Sequence, residues 1–361
     1  ISRLKITNES ARKRRLTITA YVEWVLGTSR TASAPHVITE IDAKTGALFA
    51  QNRWSNEFGE RVAFASWREM ALAWSGDRTE FLGRDGRLDS PAGLAPGAKL
   101  SNRVGAGMDP CAALQTGVSL DVSASNEVVF FLGQAASSPE ARSLLEQYRA
   151  ADLGVVLEGV VSEWDAVLGA VQVRTPDQSL DVLVNRWLLY QTISCRVWAR
   201  AAFYQSSGAY GFRDQLQDVM ALCVAKPDIA REHLLRAASR QFVEGDVQHW
   251  WLPERGSGIR TRISDDHIWL AYVAAHYVRT TGEVPVLAES ISFLYGPPLR
   301  DDQRDAFFEP SVSESRSSLF DHCALALDRS LSLGPRGLPL MGTGDWNDGM
   351  DRVGEGGTGE S

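Results

Sequence analysis

Hydrophobic and polar positions change their rhythm once along this chain, near Ser138. Before that point they form short runs rich in β-branched and aromatic residues: 3–7, 16–26 (LTITAYVEWVL), 36–42, 47–52, 61–66, 79–82, 113–122 and 127–132. Such residues suit a pleated, half-buried surface. The spacers carry turn formers, as in Lys44-Thr45-Gly46, Ser75-Gly76-Asp77 and Ser90-Pro91-Ala92-Gly93. Many short strands at regular spacing predict a β-sandwich over 1–137.

Beyond Ser138 the apolar residues recur three and four apart, the helical period. Runs 139–151 and 153–167 read as linker helices within 138–176. From Asp177 the pattern predicts a long helix over 179–205, then 213–225, 228–242 entered at Pro227, 265–281, 285–292 and 318–332. Ser264 stands as N-cap of the 265–281 helix, with Asp265 and Asp266 in its first turn. There is no heptad and no short internal repeat. Helices joined by Gly- and aromatic-rich loops predict a helical barrel over 177–361 whose loops build a site.

Composition narrows the function classes. The chain has 361 residues, 44% hydrophobic and 23% charged, which suits about two globular domains. Its net charge of −8 gives no electrostatic support for nucleic-acid binding, and the run Arg12-Lys13-Arg14-Arg15 reads as a solvated turn. No apolar run approaches the roughly 20 residues of a membrane helix. Cys111, Cys195, Cys223 and Cys323 are scattered without paired spacing, and the histidines lack metal spacing. The expectation is a reducing, cytoplasmic setting with neither disulfide framework nor metal site. The one oddity is 11 Trp, a side chain that fills cores and also stacks on sugars.

Three loops concentrate chemistry. In 206–218 (SSGAYGFRDQLQD), Arg213, Asp214, Gln217 and Asp218 fall in the first turns of a helix. At 100° per residue Asp214 and Asp218 share a face with Gln217 beside it, an array suited to vicinal sugar hydroxyls. Acids favour a helix N-terminus anyway, which accounts for Asp214 but not for the cation Arg213. In 245–266, Trp250 and Trp251 follow His249, and each Trp reads equally as core plug or sugar platform. Arg255, Arg260 and Arg262 read as anion ligands such as for phosphate, or as ordinary surface residues. In 342–357, Asp345, Asp348 and Asp351 surround Trp346 and Asn347. The spacing fits a calcium loop poorly. An acid beside Trp in such a loop stays protonated and serves as a general acid.

Four segments in order, YGFRDQLQD, QHWW, RTRISDD and GDWNDGM, resemble glycoside hydrolase family 94. The wording is most similar to the phosphorylase-like domain of cyclic β-1,2-glucan synthases, and to stand-alone β-1,2-oligoglucan phosphorylases. The resemblance implies an N-terminal β-sandwich, linker helices, an (α/α)6 barrel and a C-terminal β domain. It also implies inverting phosphorolysis of β-glucosides to α-glucose 1-phosphate, with inorganic phosphate as co-substrate and no other cofactor. Asp348 matches the family's general acid, and Arg213, Asp218 and Trp346 match its −1 sugar site. Asp214, Gln217 and Trp250 are carried as further sugar contacts. The family's phosphate-binding His and Thr-Gly pair lie well after the DWND loop, and this chain has only 13 residues after Asp348. The expectation is therefore a fragment with the barrel truncated at about half its helices. A β-glucan oligosaccharide and phosphate are the implied partners, with a homodimer and a membrane-bound parent protein also implied. An inverting hydrolase on the same barrel, with Asp214 or Asp265 as base, and a silent sugar-binding module are the alternatives.

Overall fold

A computed structural model of the chain describes residues 1–198, 208–346 and 358–360. It divides into two compact units, Ile1–Leu157 and Glu158–Ser361.

The first unit is built from eight strands: β1 (Ser2–Thr7), β2 (Arg14–Glu23), β3 (Val37–Ile41), β4 (Leu48–Asn52), β5 (Val62–Trp67), β6 (Ala73–Asp77), β7 (Pro110–Leu120) and β8 (Ser125–Ala135). They form two antiparallel sheets, β1-β8-β5-β4-β3 and β2-β7-β6. Side chains of a strand alternate between faces. Val37, Leu48, Ala50, Ala63, Ala65 and Trp67 of the larger sheet thus meet Ala112, Leu114, Val118 and Leu120 of the smaller one in the central core. The alternate residues Phe49, Val62, Phe64, Val129 and Phe131 pack against Ala141 and Leu145 of helix α3 (Ser138–Ala150). Every residue of β5 is buried, because it is covered on both faces. Two one-turn helices, α1 (Arg30–Ser33) and α2 (Arg78–Leu82), lie in the connections.

Run 79–82 is helical, which corrects the expected strand. The Asp77 carboxylate accepts from the Thr79 backbone N–H and caps a turn where propensity favoured extension. The strand here is β6, immediately before it, through the Ser75-Gly76-Asp77 segment expected to be a turn.

Helix α4 (Leu153–Leu168) runs across the boundary between the units. The expected single helix over 179–205 is broken within its described part. It comprises α5 (Gln178–Val182), a π-type turn Leu183–Trp187, α6 (Leu188–Gln191) and a second π-type stretch Thr192–Trp198. The cause is local. The Asn185 side chain accepts from the Val173 N–H at 2.6 Å and donates to the Val173 carbonyl at 2.7 Å, and Arg186 beside it takes a φ of 143°. Residues 199–205 lie outside the described residues.

Four amphipathic helices carry the second core: α7 (Phe212–Met220), α8 (Pro227–Ala238), α9 (Asp265–Thr281) and α10 (Leu319–Arg329). Phe212, Leu216, Val219, Leu234, Ala237, Leu270, Val273, Tyr277 and Leu319 meet there. The helical reading of this half missed its strands. These are β9 (Tyr210–Gly211), β10 (Gln248–Trp251), β11 (Gly258–Thr261), β12 (Ser290–Tyr295), β13 (Asp305–Phe308) and β14 (Ser311–Ser318). They form a sheet β13-β11-β10-β9 and the pair β12-β14. The expected 285–292 helix is a single 3₁₀ turn, Val284–Ala288, leading into β12. No helix among the described residues is long and apolar enough to cross a membrane.

Candidate active site

The site is assembled from the starts of two helices and the loop before the chain's DWND motif. Short strand β9 pairs with β10 so that Gly211 lies opposite Trp250. Gly211 is also the N-cap of α7. A Cβ there would come within 2.2 Å of an Asp214 carboxylate oxygen, so a larger residue at this entry would displace the Asp214 side chain. The entry places Arg213 in the first helical turn, with only 6% of its surface exposed.

A cation at a helix N-terminus opposes the dipole. Here it is stabilised by a specific partner. Arg213 Nη1 donates to both carboxylate oxygens of Asp265, at 3.1 and 2.9 Å, and to the backbone carbonyl of Asp345 at 3.0 Å. The Trp346 ring centroid lies 6.0 Å from the guanidinium carbon, and this Trp is 67% exposed. Asp265 additionally accepts from Trp269 Nε1 at 3.2 Å, one helical turn along α9. Burial, with Asp266 alongside, holds the Asp265 carboxyl above its ordinary value, although Arg213 pulls the other way.

The loop carrying Asp345 and Trp346 is fixed by its backbone. Ile263 and Gly342 form an antiparallel bridge, Thr343 N–H donates to the Arg262 carbonyl, and Ser264 N–H donates to the Gly344 carbonyl. Gly342 has a φ of +63°, and a Cβ on it would fall 1.7 Å from the Arg262 carbonyl oxygen. Only glycine permits that approach. Ser264 is the N-cap residue expected for α9, but its side chain makes no cap bond because its backbone is already helical. Its N–H tethers the loop instead.

Arg213 and Trp346 are thus brought together, and Asp265 and Trp269 join them. Asp214 and Gln217 are half-buried on α7. Both oxygens of Asp218 accept from Arg196 Nε, at 3.1 and 3.0 Å, so this carboxylate is engaged in an ion pair. The Trp250 ring packs on Phe307, with centroids 5.7 Å apart. Asp348, the expected general acid, lies outside the described residues, as do Asn347 and Asp351.

In the middle loop the structure decides the open reading of Trp251 and corrects that of two arginines. Trp251 is a core residue, 1% exposed, stacked on Tyr210 with Arg240 over its ring. Arg260 is equally buried. It is neutralised by Asp246 and Glu244 and lies over the Phe242 ring. Arg262 donates to the carbonyls of Leu299, Arg300 and Gln303. These two arginines brace loops and are not surface anion ligands.

His249 and Asp266 were noted in the sequence without a role, and Trp269 and Arg196 were not singled out. The spacing of Asp265 and Trp269, four apart on one helical face, carried a signal for the third. Arg196 lies in a stretch whose π-type geometry no periodicity encodes.

Comparison with known proteins identifies the family. The model of the glycosyl hydrolase 94 supersandwich domain matches residues 1–151, and that of the glycosyl hydrolase 94 superfamily catalytic domain matches residues 163–361. The chain belongs to the glycosyl hydrolase 94 superfamily. It is 45% identical over 360 residues to the cyclic β-(1,2)-glucan synthase NdvB of Rhizobium meliloti, covering 99% of this chain and 13% of that protein. It is 27% identical to solabiose phosphorylase of Paenibacillus borealis, covering 99% of this chain and 43% of that enzyme. It is 26% identical to N,N′-diacetylchitobiose phosphorylase of Vibrio proteolyticus, covering 76% of this chain and 36% of that enzyme. The chain thus spans less than half the length of each of these relatives.

Proposed function

We propose that this chain is the sandwich and the first half of an (α/α)6 barrel from an inverting β-glucoside phosphorylase, acting on β-1,2-glucan within a cyclic glucan synthase or an oligoglucan phosphorylase. In this reading Arg213 and Trp346 hold the sugar whose bond is cleaved, with Asp214, Gln217, Asp218 and Trp250 as further contacts. Asp348, two residues after Trp346, is the general acid. Its carboxyl proton passes to the glycosidic oxygen as the anomeric carbon–oxygen bond breaks. A phosphate oxygen forms the new bond from the opposite face, giving α-glucose 1-phosphate and a shortened glucan that leaves as its free hydroxyl.

The observation that carries the reading is the tether from Arg213 to the Asp345 carbonyl, which joins the FRDQLQD helix to the DWND loop. The state of Asp265 counts against it as one of the two candidate bases for hydrolysis. An inverting hydrolase needs a second carboxylate as base, about 6.5–9.5 Å from the acid. Asp265 is occupied by Arg213 and Trp269, a poor arrangement for activating water. Phosphate is itself an anionic nucleophile and needs no base. A membrane-bound parent protein and a homodimer belong to the same reading.

The test uses the native-length protein containing residues 1–361, with β-1,2-gluco-oligosaccharides and inorganic phosphate. Phosphate-dependent release of glucose 1-phosphate is expected. Asp348→Asn should lower the rate by about 10²–10⁴-fold, the usual worth of general-acid help. A near-wild-type rate in that variant removes Asp348 from the role.

A further inference from the structure

Four consecutive residues at the entry to α9, 262–265, hold four consecutive residues of the loop, 342–345. The first three do so through the backbone: the Arg262 carbonyl accepts from Thr343 N–H, Ile263 bridges Gly342, and Ser264 N–H donates to the Gly344 carbonyl. Asp265, the first residue of α9, does so through its side chain. Arg213 Nη1 donates to both of its carboxylate oxygens, at 3.1 and 2.9 Å, and to the Asp345 carbonyl at 3.0 Å. The carboxylate is oriented in turn, because its Oδ2 accepts from Trp269 Nε1 at 3.2 Å. Charge placement is uneven across this contact. An anion is favoured at the start of α9, whereas a cation is disfavoured at the start of α7. The countercharge on Asp265 therefore decides where the guanidinium rests. Both side chains are withdrawn from water, at 7% and 15% exposed. A buried ion pair adds little net stability over an apolar pair, and its best-attested use is to specify one arrangement.

We infer that Asp265 is a positioning residue: it aims Arg213 at the Asp345 carbonyl and so sets where the loop ending at Trp346 stands. It acts through Arg213 and contacts neither sugar nor phosphate. The backbone bonds of residues 262–264 fix the loop's path, and the Asp265–Arg213 rung fixes its last described turn, next to Trp346. Trp269 keeps the carboxylate in the orientation that presents both oxygens to Arg213. The effect on reaction rate rests on the phosphorylase reading given above, in which this loop leads to the general acid. The effect on the loop itself does not.

Two measurements on the native-length protein test it. The first is amide hydrogen exchange read by mass spectrometry. Asp265→Asn keeps the side chain's shape and removes its charge and one acceptor. Segment 340–346 should then exchange about 10-fold faster or more, the worth of a hydrogen bond to a charged group, while α8 keeps its wild-type rate. Unchanged exchange in 340–346 overturns the proposal, and so does faster exchange spread evenly over the second unit. Trp269→Phe is the milder variant, since it removes only the bond that orients the carboxylate. It should speed exchange of 340–346 about 3–10-fold, and a wild-type rate there overturns the proposal. The second measurement is phosphorolysis. Asp265→Asn should lower kcat by about 10²-fold, the cost of a small misplacement, with a smaller change in the KM for glucan. A raised KM with wild-type kcat marks lost ground-state binding and overturns the proposal. Asp265→Asn combined with Arg213→Gln should be no slower than Arg213→Gln alone. Losses that multiply show Asp265 acting by itself, as a base or a sugar contact, and overturn the proposal. The expected loop exchange in a protein that releases no glucose 1-phosphate supports the positioning role while refuting the phosphorylase reading, so the two failures are separable.

Discussion

At the scale of single residues, Arg213 decides most. Its guanidinium ties together Asp265 on α9, the Asp345 carbonyl and the neighbourhood of Trp346. Removing one partner of a buried ion pair leaves the other desolvated and unpaired. Arg213→Ala is therefore expected to destabilise the second unit by about 3–5 kcal/mol, measured as a lowered urea midpoint. Arg213→Lys should restore part of that stability without restoring activity, because an ammonium does not reproduce the contacts of a planar guanidinium. Asp42 makes the corresponding case in the first unit. Burial raises its pKa, but hydrogen bonds from Arg142 and Thr45 outweigh burial and hold the carboxyl below its ordinary value. A lowered pKa contributes stability that is present above the unfolded value, about 3.9, and is lost as pH falls through the folded one. The wild-type urea midpoint should thus drop between pH 5 and pH 2 more steeply than that of Asp42→Asn.

At the scale of elements, the sequence signal and its competitors can be told apart. Strands β3, β4, β5, β7 and β8 were legible because β-branched and aromatic runs matched buried strand positions, on both faces in β5 and on one face in β3. Run 79–82 has the same composition, yet the Asp77 cap turned it into a helix. Four strands of the second half, β9, β10, β11 and β13, were hidden because each has only two to four residues, and some of their pairings join distant segments. β11 meets β13 more than forty residues later, for example. Helix starts read well where a side chain makes the cap. Ser318 bonds the Asp321 N–H and Asp321 returns the bond, a capping box that begins α10. Ser318→Ala should cost about 0.5–2 kcal/mol, visible as a lower thermal midpoint. Ser264 makes no such cap, so Ser264→Ala should cost much less in the same measurement.

At the scale of the whole chain, the order of a sheet-rich unit and then a helical unit was readable from the single change of hydrophobic period near Ser138. The convergence of Arg213, Asp265 and Trp346 was not, since it depends on the Ile263–Gly342 bridge and on loop carbonyls that no side-chain pattern announces. The Trp content also divides. Trp251 is core, and Trp251→Ala should destabilise by about 3–5 kcal/mol, whereas Trp346 is exposed beside Arg213. Trp346→Ala should therefore spare the unfolding midpoint and lower activity. The central claim is that these residues serve an inverting phosphorolysis. The most direct measurement is ¹H NMR of the anomeric region during reaction of the native-length protein with β-1,2-gluco-oligosaccharides, with and without inorganic phosphate. The account predicts α-glucose 1-phosphate as the first product, formed only when phosphate is present. Free glucose appearing at the same rate without phosphate would contradict it.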